Sequence, residues 1–118
     1  VLLEELPPFL VHPLLNQLAK EKTLSLKNES YISHSGADER FDEIFKAGGL
    51  SAGENIQAGD DDPFIVVMSL LIDEGVADYG HRRNLLDRSF THIGLNLGSQ
   101  KIFDYITVME FAGFPASD

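Results

Sequence analysis

Three short polar clusters hold the residues best suited to chemistry: Ser33-His34-Ser35-Gly36, Gly53-Glu54-Asn55-Ile56 and Gly80-His81-Arg82-Arg83-Asn84-Leu85-Leu86. Each carries glycine and stands between segments of amphipathic pattern. Turns held by a rigid scaffold are where site chemistry concentrates. Neutral imidazole is the commonest protein ligand for Zn²⁺ and titrates near neutrality, so His34 and His81 are the candidates for holding a divalent metal. Being far apart in sequence, they meet only through the fold; the alternative is that each bonds backbone in its own turn. Glu54 suits three tasks: orienting an imidazole, general base, or metal coordination through water. It equally suits a buried acid that accepts backbone amides and ties two loops. Glu54 and His81 are therefore the catalytic candidates.

Asp73-Glu74 precedes the His81 turn, and one of the two is expected to face the site. An acid at a helix C-terminus opposes the macrodipole, so a local partner is expected. Arg82 and Arg83 can pair with Asp73, Glu74 or Asp78, with a solvated surface role as the default. His12 and His92 read as surface or strand histidines, and Glu110 as an outward-facing strand acid. Asp60-Asp61-Asp62 lacks the alternating ligands and distal glutamate of a calcium loop. The chain has no His-Glu-x-x-His, Gly-x-Ser-x-Gly, Walker or dinucleotide-binding motif. Ser33 and Ser35 flank His34, but sequence neighbours seldom form a nucleophile–base pair.

The elements that must position these residues alternate with them. After a lead-in broken by Pro7, Pro8 and Pro13, a helix is expected from Pro13 to before Asn28. It carries an apolar stripe through Leu14, Leu15, Leu18 and Ala19, with Lys22 on the border and lysines toward its C-terminal end. Asp38 reads as the N-cap of a second helix through Phe41, Ile44 and Phe45, ended by Gly48-Gly49. Ser51 to Gln57 fits either a short strand or an irregular turn. Asp60-Asp61-Asp62-Pro63 starts a third helix, apolar almost all round through Ile72 and so expected to be buried. His81 to Leu86 reads as a short last helix. His92 to Leu97 and Tyr105 to Phe111 alternate as strands joined by a hairpin loop. Helices first and strands last predict one α+β domain over residues 1–118.

Composition narrows the partners. The 118 residues suffice for one real core, and 43% hydrophobic with 24% charged residues is a globular balance. Nine Lys plus Arg against nineteen Asp plus Glu give a net charge of -10, which opposes nucleic acid and anionic membranes. Absence of cysteine excludes disulfides and thiolate metal sites. No apolar run approaches the roughly 20 residues of a membrane span. Any export signal or lipid-bearing cysteine is expected outside these residues.

At these clusters the sequence resembles the CAP superfamily (the SCP-like or PR-1 domain), its prokaryotic branch in particular. The resemblance rests on His34-Ser35-Gly36, Asp38-Glu39-Arg40-Phe41, Gly53-Glu54-Asn55-Ile56, Leu71-Ile72-Asp73-Glu74-Gly75-Val76, the Gly80 to Leu86 motif, Ile93-Gly94-Leu95 and Val108 to Gly113, all in the family's order. It implies a three-layer α-β-α sandwich with a small antiparallel sheet. It also implies a cleft of two histidines and two acids that holds a divalent metal in several members. By motif match these are His34, His81, Glu54, and Glu74 or Asp73. Missing cysteines separate the chain from venom and plant members, whose toxin and antifungal roles do not transfer. The family's habit of export implies an extracellular or surface-anchored protein. The leading functional expectation is a non-enzymatic module whose acidic cleft takes a divalent metal such as Zn, and a small-molecule, lipid or protein partner. The alternatives are a peptidase or esterase using the same cleft, a lipid- or sterol-binding module, and a purely structural polar brace.

Overall fold

A computed structural model of the chain describes residues 7–73 and 80–116. The lead-in forms a two-residue strand, β1 (Leu10–Val11), and turns into α1 (Pro13–Leu26). His12 is the N-cap: its Nδ1 accepts the Leu14 amide at 3.1 Å, while Pro13 fills the first helical position. Leu15, Leu18, Ala19 and Leu26 form the buried stripe. Lys22 lies in that stripe rather than at its border, because its Nζ reaches out of the helix to the Ser35 carbonyl at 2.8 Å.

Helix α2 (Ala37–Lys46) is capped by Gly36 rather than by Asp38. Gly36 sits at φ 80°, and a Cβ there would meet Arg40 Nη1 at 2.9 Å, so the turn after His34 needs glycine. Asp38 falls instead in the first turn, where its charge suits the helix N-terminus. Strand β2 (Ser51–Ala58) settles the open choice for that segment. In α3 (Pro63–Ile72), Asp62 Oδ1 accepts the Phe64 and Ile65 amides, and the helix ends at Asp73 in the left-handed conformation, φ 52°. Helix α4 (Gly80–Leu86) leads to β3 (His92–Gln100) and, through a tight turn, to β4 (Asp104–Gly113).

Among the described residues the strands form one sheet in the order β1-β3-β4-β2. The β3–β4 hairpin and the β2–β4 pair are antiparallel, but β1 runs parallel to β3. The sheet is thus mixed rather than purely antiparallel. A parallel neighbour needs a long crossover, and the chain from α1 to α4 supplies it.

Alternation along β2 and β4 sorts side chains to two faces. Ile56, Ile106 and Val108 pack with Ala19 and Leu26 of α1, and Ala112 with Leu15, Leu18 and Ile44. Met109 and Phe111 point the other way, onto Val66, Leu70 and Phe90. The layers are therefore α1 and α2, the sheet, then α3 and α4. Close approach of α1 depends on Gly94 of β3, where a Cβ would stand 2.1 Å from the Leu15 carbonyl carbon. The apolar composition of α3 does not make it a buried helix. Val66 and Leu70 face the sheet, while Phe64, Ile65 and Ile72 are 70%, 46% and 52% exposed. One stripe is all that the sheet beneath can cover.

Candidate functional site

Glu54 points from β2 into the α1/α2 layer with a side chain only 1% exposed. Arg40 of α2 grips it with a fork, Nε donating to Oε2 at 2.6 Å and Nη2 to Oε1 at 2.8 Å. His34 Nδ1 meets Oε1 at 2.7 Å. The same guanidinium holds the loop that carries His34, donating to the Ser35 carbonyl at 2.9 Å and the His34 carbonyl at 3.2 Å. With Lys22 on the Ser35 carbonyl as well, the His34 turn is tied to α1, α2 and β2. The imidazole itself is half exposed.

Glu110 faces Glu54 across the β2–β4 ladder and is fully buried, not outward-facing. Its parity decides this: Val108, Glu110 and Ala112 all point to the α1/α2 layer. Arg40 Nε lies 3.5 Å from its Oε1, but neither carboxyl oxygen accepts a hydrogen bond. A buried carboxylate without a donor is costly. The neutral acid avoids burying that charge beside Glu54. Burial first, then Glu54's hydrogen bond and charge, push Glu110 well above the ordinary carboxyl range. Burial also pushes Glu54 upward, but the hydrogen bond with His34 and the fork and charge of Arg40 outweigh it and hold Glu54 ionised. The pair carries one proton, held by Glu110.

His81 opens α4 on the other face of the sheet. Its Nδ1 lies 2.8 Å from Asp73 Oδ1, and Asp73 Oδ2 accepts the amides of His81 at 2.9 Å and Arg82 at 3.1 Å. Asp73 is buried; burial raises its carboxyl, while the Arg82 amide and His81 outweigh that and lower it. Asp73 is thus the acid on His81, and Glu74 lies outside the described residues. Arg82 is not a surface pair for Asp73 through its side chain: its Nη2 donates to the Ile72 carbonyl at 2.6 Å, closing the C-terminal end of α3.

The two motifs are clipped across β2. Asn84 Nδ2 donates to Asn55 Oδ1 at 2.8 Å and to the Glu54 carbonyl at 3.2 Å, and Asn55 Nδ2 donates to the His81 carbonyl at 3.0 Å. Glu54 and Asn55 are successive, so they serve opposite faces. The structure therefore gives each histidine its own carboxylate, on either side of β2, the edge strand. Both imidazoles are held through Nδ1, leaving Nε2 as the ring atom turned to any ligand. That is the arrangement in which a carboxylate fixes the direction of an imidazole ring. Among the described residues no group of three or more His, Asp and Glu side chains is placed to hold a metal ion, and both Glu54 oxygens are engaged by Arg40 and His34. No described hydroxyl is hydrogen-bonded to either Nε2.

Arg40, Asn55, Asn84 and Glu110 are the residues that residue type alone undervalued. Glu110 left a signal in its even spacing with Val108 and Ala112, and all four fall inside the motifs that carry the family resemblance. His12 and His92 lie elsewhere: His12 stacks on Phe114 with ring centroids 4.5 Å apart, and His92 meets the same ring edge-on. No described helix is long and apolar enough to cross a membrane.

Comparison with known proteins bears on the family and the fold. The model of the CAP family, described as the cysteine-rich secretory protein family, matches residues 4–111. The chain is 35% identical over 95 residues to the uncharacterized protein YkwD of Bacillus subtilis (strain 168), covering 76% of this chain and 35% of that protein. An extracellular protein containing a SCP domain from Bacillus anthracis str. Ames has the same fold, with a TM-score of 0.64 and 23% identity over 92% of this chain and 34% of the other. An outer surface protein from Borrelia burgdorferi superposes with a TM-score of 0.72 at 18% identity, over 93% of this chain and 80% of that one. The chain spans about a third of the length of the curated relative it matches.

Proposed function

This chain belongs to the CAP, or cysteine-rich secretory protein, family, and from that premise we propose that it is an extracellular, non-enzymatic binding module of a bacterial cell. Its ligand groups are His34 and His81, each with Nδ1 engaged by a carboxylate and Nε2 left over. The observation that carries this reading is the shared engagement of Nδ1: Glu54 holds His34 and Asp73 holds His81, each at hydrogen-bond distance. Each ring is thereby fixed in orientation by its carboxylate. An extracellular setting draws support from the names of the solved structures of the same fold, an extracellular protein and an outer surface protein.

A divalent cation such as Zn²⁺ is the simplest ligand that two such imidazoles would take, with further donors coming from water or from a bound partner. Calorimetric titration with zinc chloride tests this directly, using the intact chain and its His34→Gln and His81→Gln variants. Saturable binding that each variant weakens supports the site. Zinc binding unchanged in both variants would remove it. Hydrolysis of peptide or ester substrates, lost in His81→Gln, would replace binding by catalysis.

A further inference from the structure

The second sheet face carries an apolar surface that the fold does not use. Between α3 and β3 runs a groove of about 120 Å³ lined by Val66, Val67, Leu95, Leu97 and Met109, with Asp61 at its rim. Leu95 and Leu97 are about half exposed. The groove lies below the roughly 300 Å³ of small-molecule sites, but is close to the roughly 150 Å³ cavity that holds a benzene ring. It accommodates one apolar side chain.

The strand beside the groove has an open edge. β1 covers β3 only at His92 and Ile93. The Ile93 carbonyl points to that side, accepting from the His12 amide, and so does the Leu95 amide, taken by Asn16 Oδ1 at 3.0 Å. By alternation, Leu97 and Ser99 turn their N–H and C=O groups the same way. Among the described residues no hydrogen bond meets these groups, and both residues are exposed. An unpaired edge flanked by an apolar groove is the template for adding an extended strand.

Charge selects the occupant. A second copy would bring the same net charge of -10, and the exposed Asp61 lines the groove. Both disfavour self-pairing and favour a cationic segment. We propose that the β3 edge from Leu97 to Ser99 receives an extended basic peptide segment of a protein partner. That segment pairs backbone to backbone and places one apolar side chain between α3 and β3. This surface is separate from the histidine site, so neither reading depends on the other.

The test uses a synthetic peptide of strand length, about six residues, alternating valine and threonine with two terminal lysines. Three controls accompany it: a twin with glutamates for lysines, a twin with a central proline, and vesicles of zwitterionic lipid. Binding is followed by amide chemical shifts and hydrogen exchange of the intact chain. The expected result is saturable binding of the lysine peptide, with protection of the Leu97 and Ser99 amides and no matching effect from any control. Leu97→Thr keeps strand propensity and should weaken binding about tenfold, equal to about 1.4 kcal/mol; Ser99→Pro, checked by circular dichroism for folding, should abolish it. The proposal fails if the lysine peptide does not bind, if either twin binds equally well, or if vesicles alone shift these amides. It also fails if light scattering shows a dimer that Leu97→Thr dissolves.

Discussion

Glu54 and Glu110 stand opposite one another on β2 and β4, both turned into the α1/α2 layer and both buried. Their proton is shared unequally, and stability must follow pH accordingly. Unfolded, Glu110 titrates near its ordinary 4.5; folded, it keeps its proton far above that. Between the two values the native state holds one extra proton, so stability falls as pH rises, by at most about 1.4 kcal/mol per pH unit. Glu54 acts in the opposite sense. Its folded value lies below 4.5, so its contribution is present above that pH and lost on acidification through the folded value. Maximum stability is therefore expected near the ordinary carboxyl range. Glu110→Gln should flatten the decline in melting temperature from about pH 5 to pH 9, a range set by these two titrations, and leave the acid limb in place. An unchanged alkaline slope would show that Glu110 is already ionised.

Removing Arg40 strands a buried anion. Arg40→Met should cost about 3 kcal/mol or more in chemical denaturation at neutral pH, since Glu54 would remain in the core without its fork. The double variant Arg40→Met/Glu54→Gln should recover a large part of that loss. Arg40→Lys should not rescue fully, because an ammonium cannot make both bonds to Glu54 while holding the Ser35 carbonyl.

Asp73 joins the end of α3 to the start of α4. Asp73→Ala removes the acceptor for two amides and the His81 ring, and places a methyl side chain at φ 52°. A loss of about 2 kcal/mol or more is expected from the missing cap and the strained backbone. Asp73→Asn, which retains a carbonyl acceptor and tolerates the left-handed region, should lose less. Thermal unfolding of both variants checks the order.

Gly94→Ala tests the tight seat of α1. With helix backbone about 2 Å from the added carbon, α1 must move away, and a cost at or above the usual 1–3 kcal/mol of overpacking is expected. Melting temperature with far-ultraviolet dichroism reads this out.

On α3, two apolar residues should behave oppositely. Leu70→Ala, in the core with Phe90 and Phe111, should cost about 2–5 kcal/mol, whereas Phe64→Ser should change stability by about 0.5 kcal/mol or less. Urea denaturation of the two variants measures the contrast.

That contrast marks where the sequence was legible. Capping chemistry and periodicity placed α1, α3 and the β3–β4 hairpin, because Pro13, Asp62-Pro63 and the alternating strand residues act locally. Periodicity could not bury α3, since burial depends on how much sheet lies beneath it. Asp38 looked like a cap, but the turn closed two residues earlier, at Gly36, whose φ of 80° favours glycine. The parallel β1–β3 pair was invisible for the same reason: its partners are set by a crossover, not by neighbours. Within the site, His34, His81 and Glu54 stood out by type and setting. Their division between two carboxylates did not, because it follows from the opposite parity of Glu54 and Asn55. Arg40, Asn55 and Asn84 fall within the quoted motifs, but their roles depend on partners that the fold supplies, such as Glu54 for Arg40 and Asn55 for Asn84.

The stacking of His12 on Phe114 brings the entry to α1 and the exit from β4 within a ring's width of each other. Far apart as they are in sequence, the two ends of this layered core open at the same corner. Splicing them with a short flexible linker, and cutting the chain at the exposed β3–β4 turn instead, should give a circular permutant that keeps the same layers. It would do so because the layers are held by contacts between elements, which the cut and the splice leave in place.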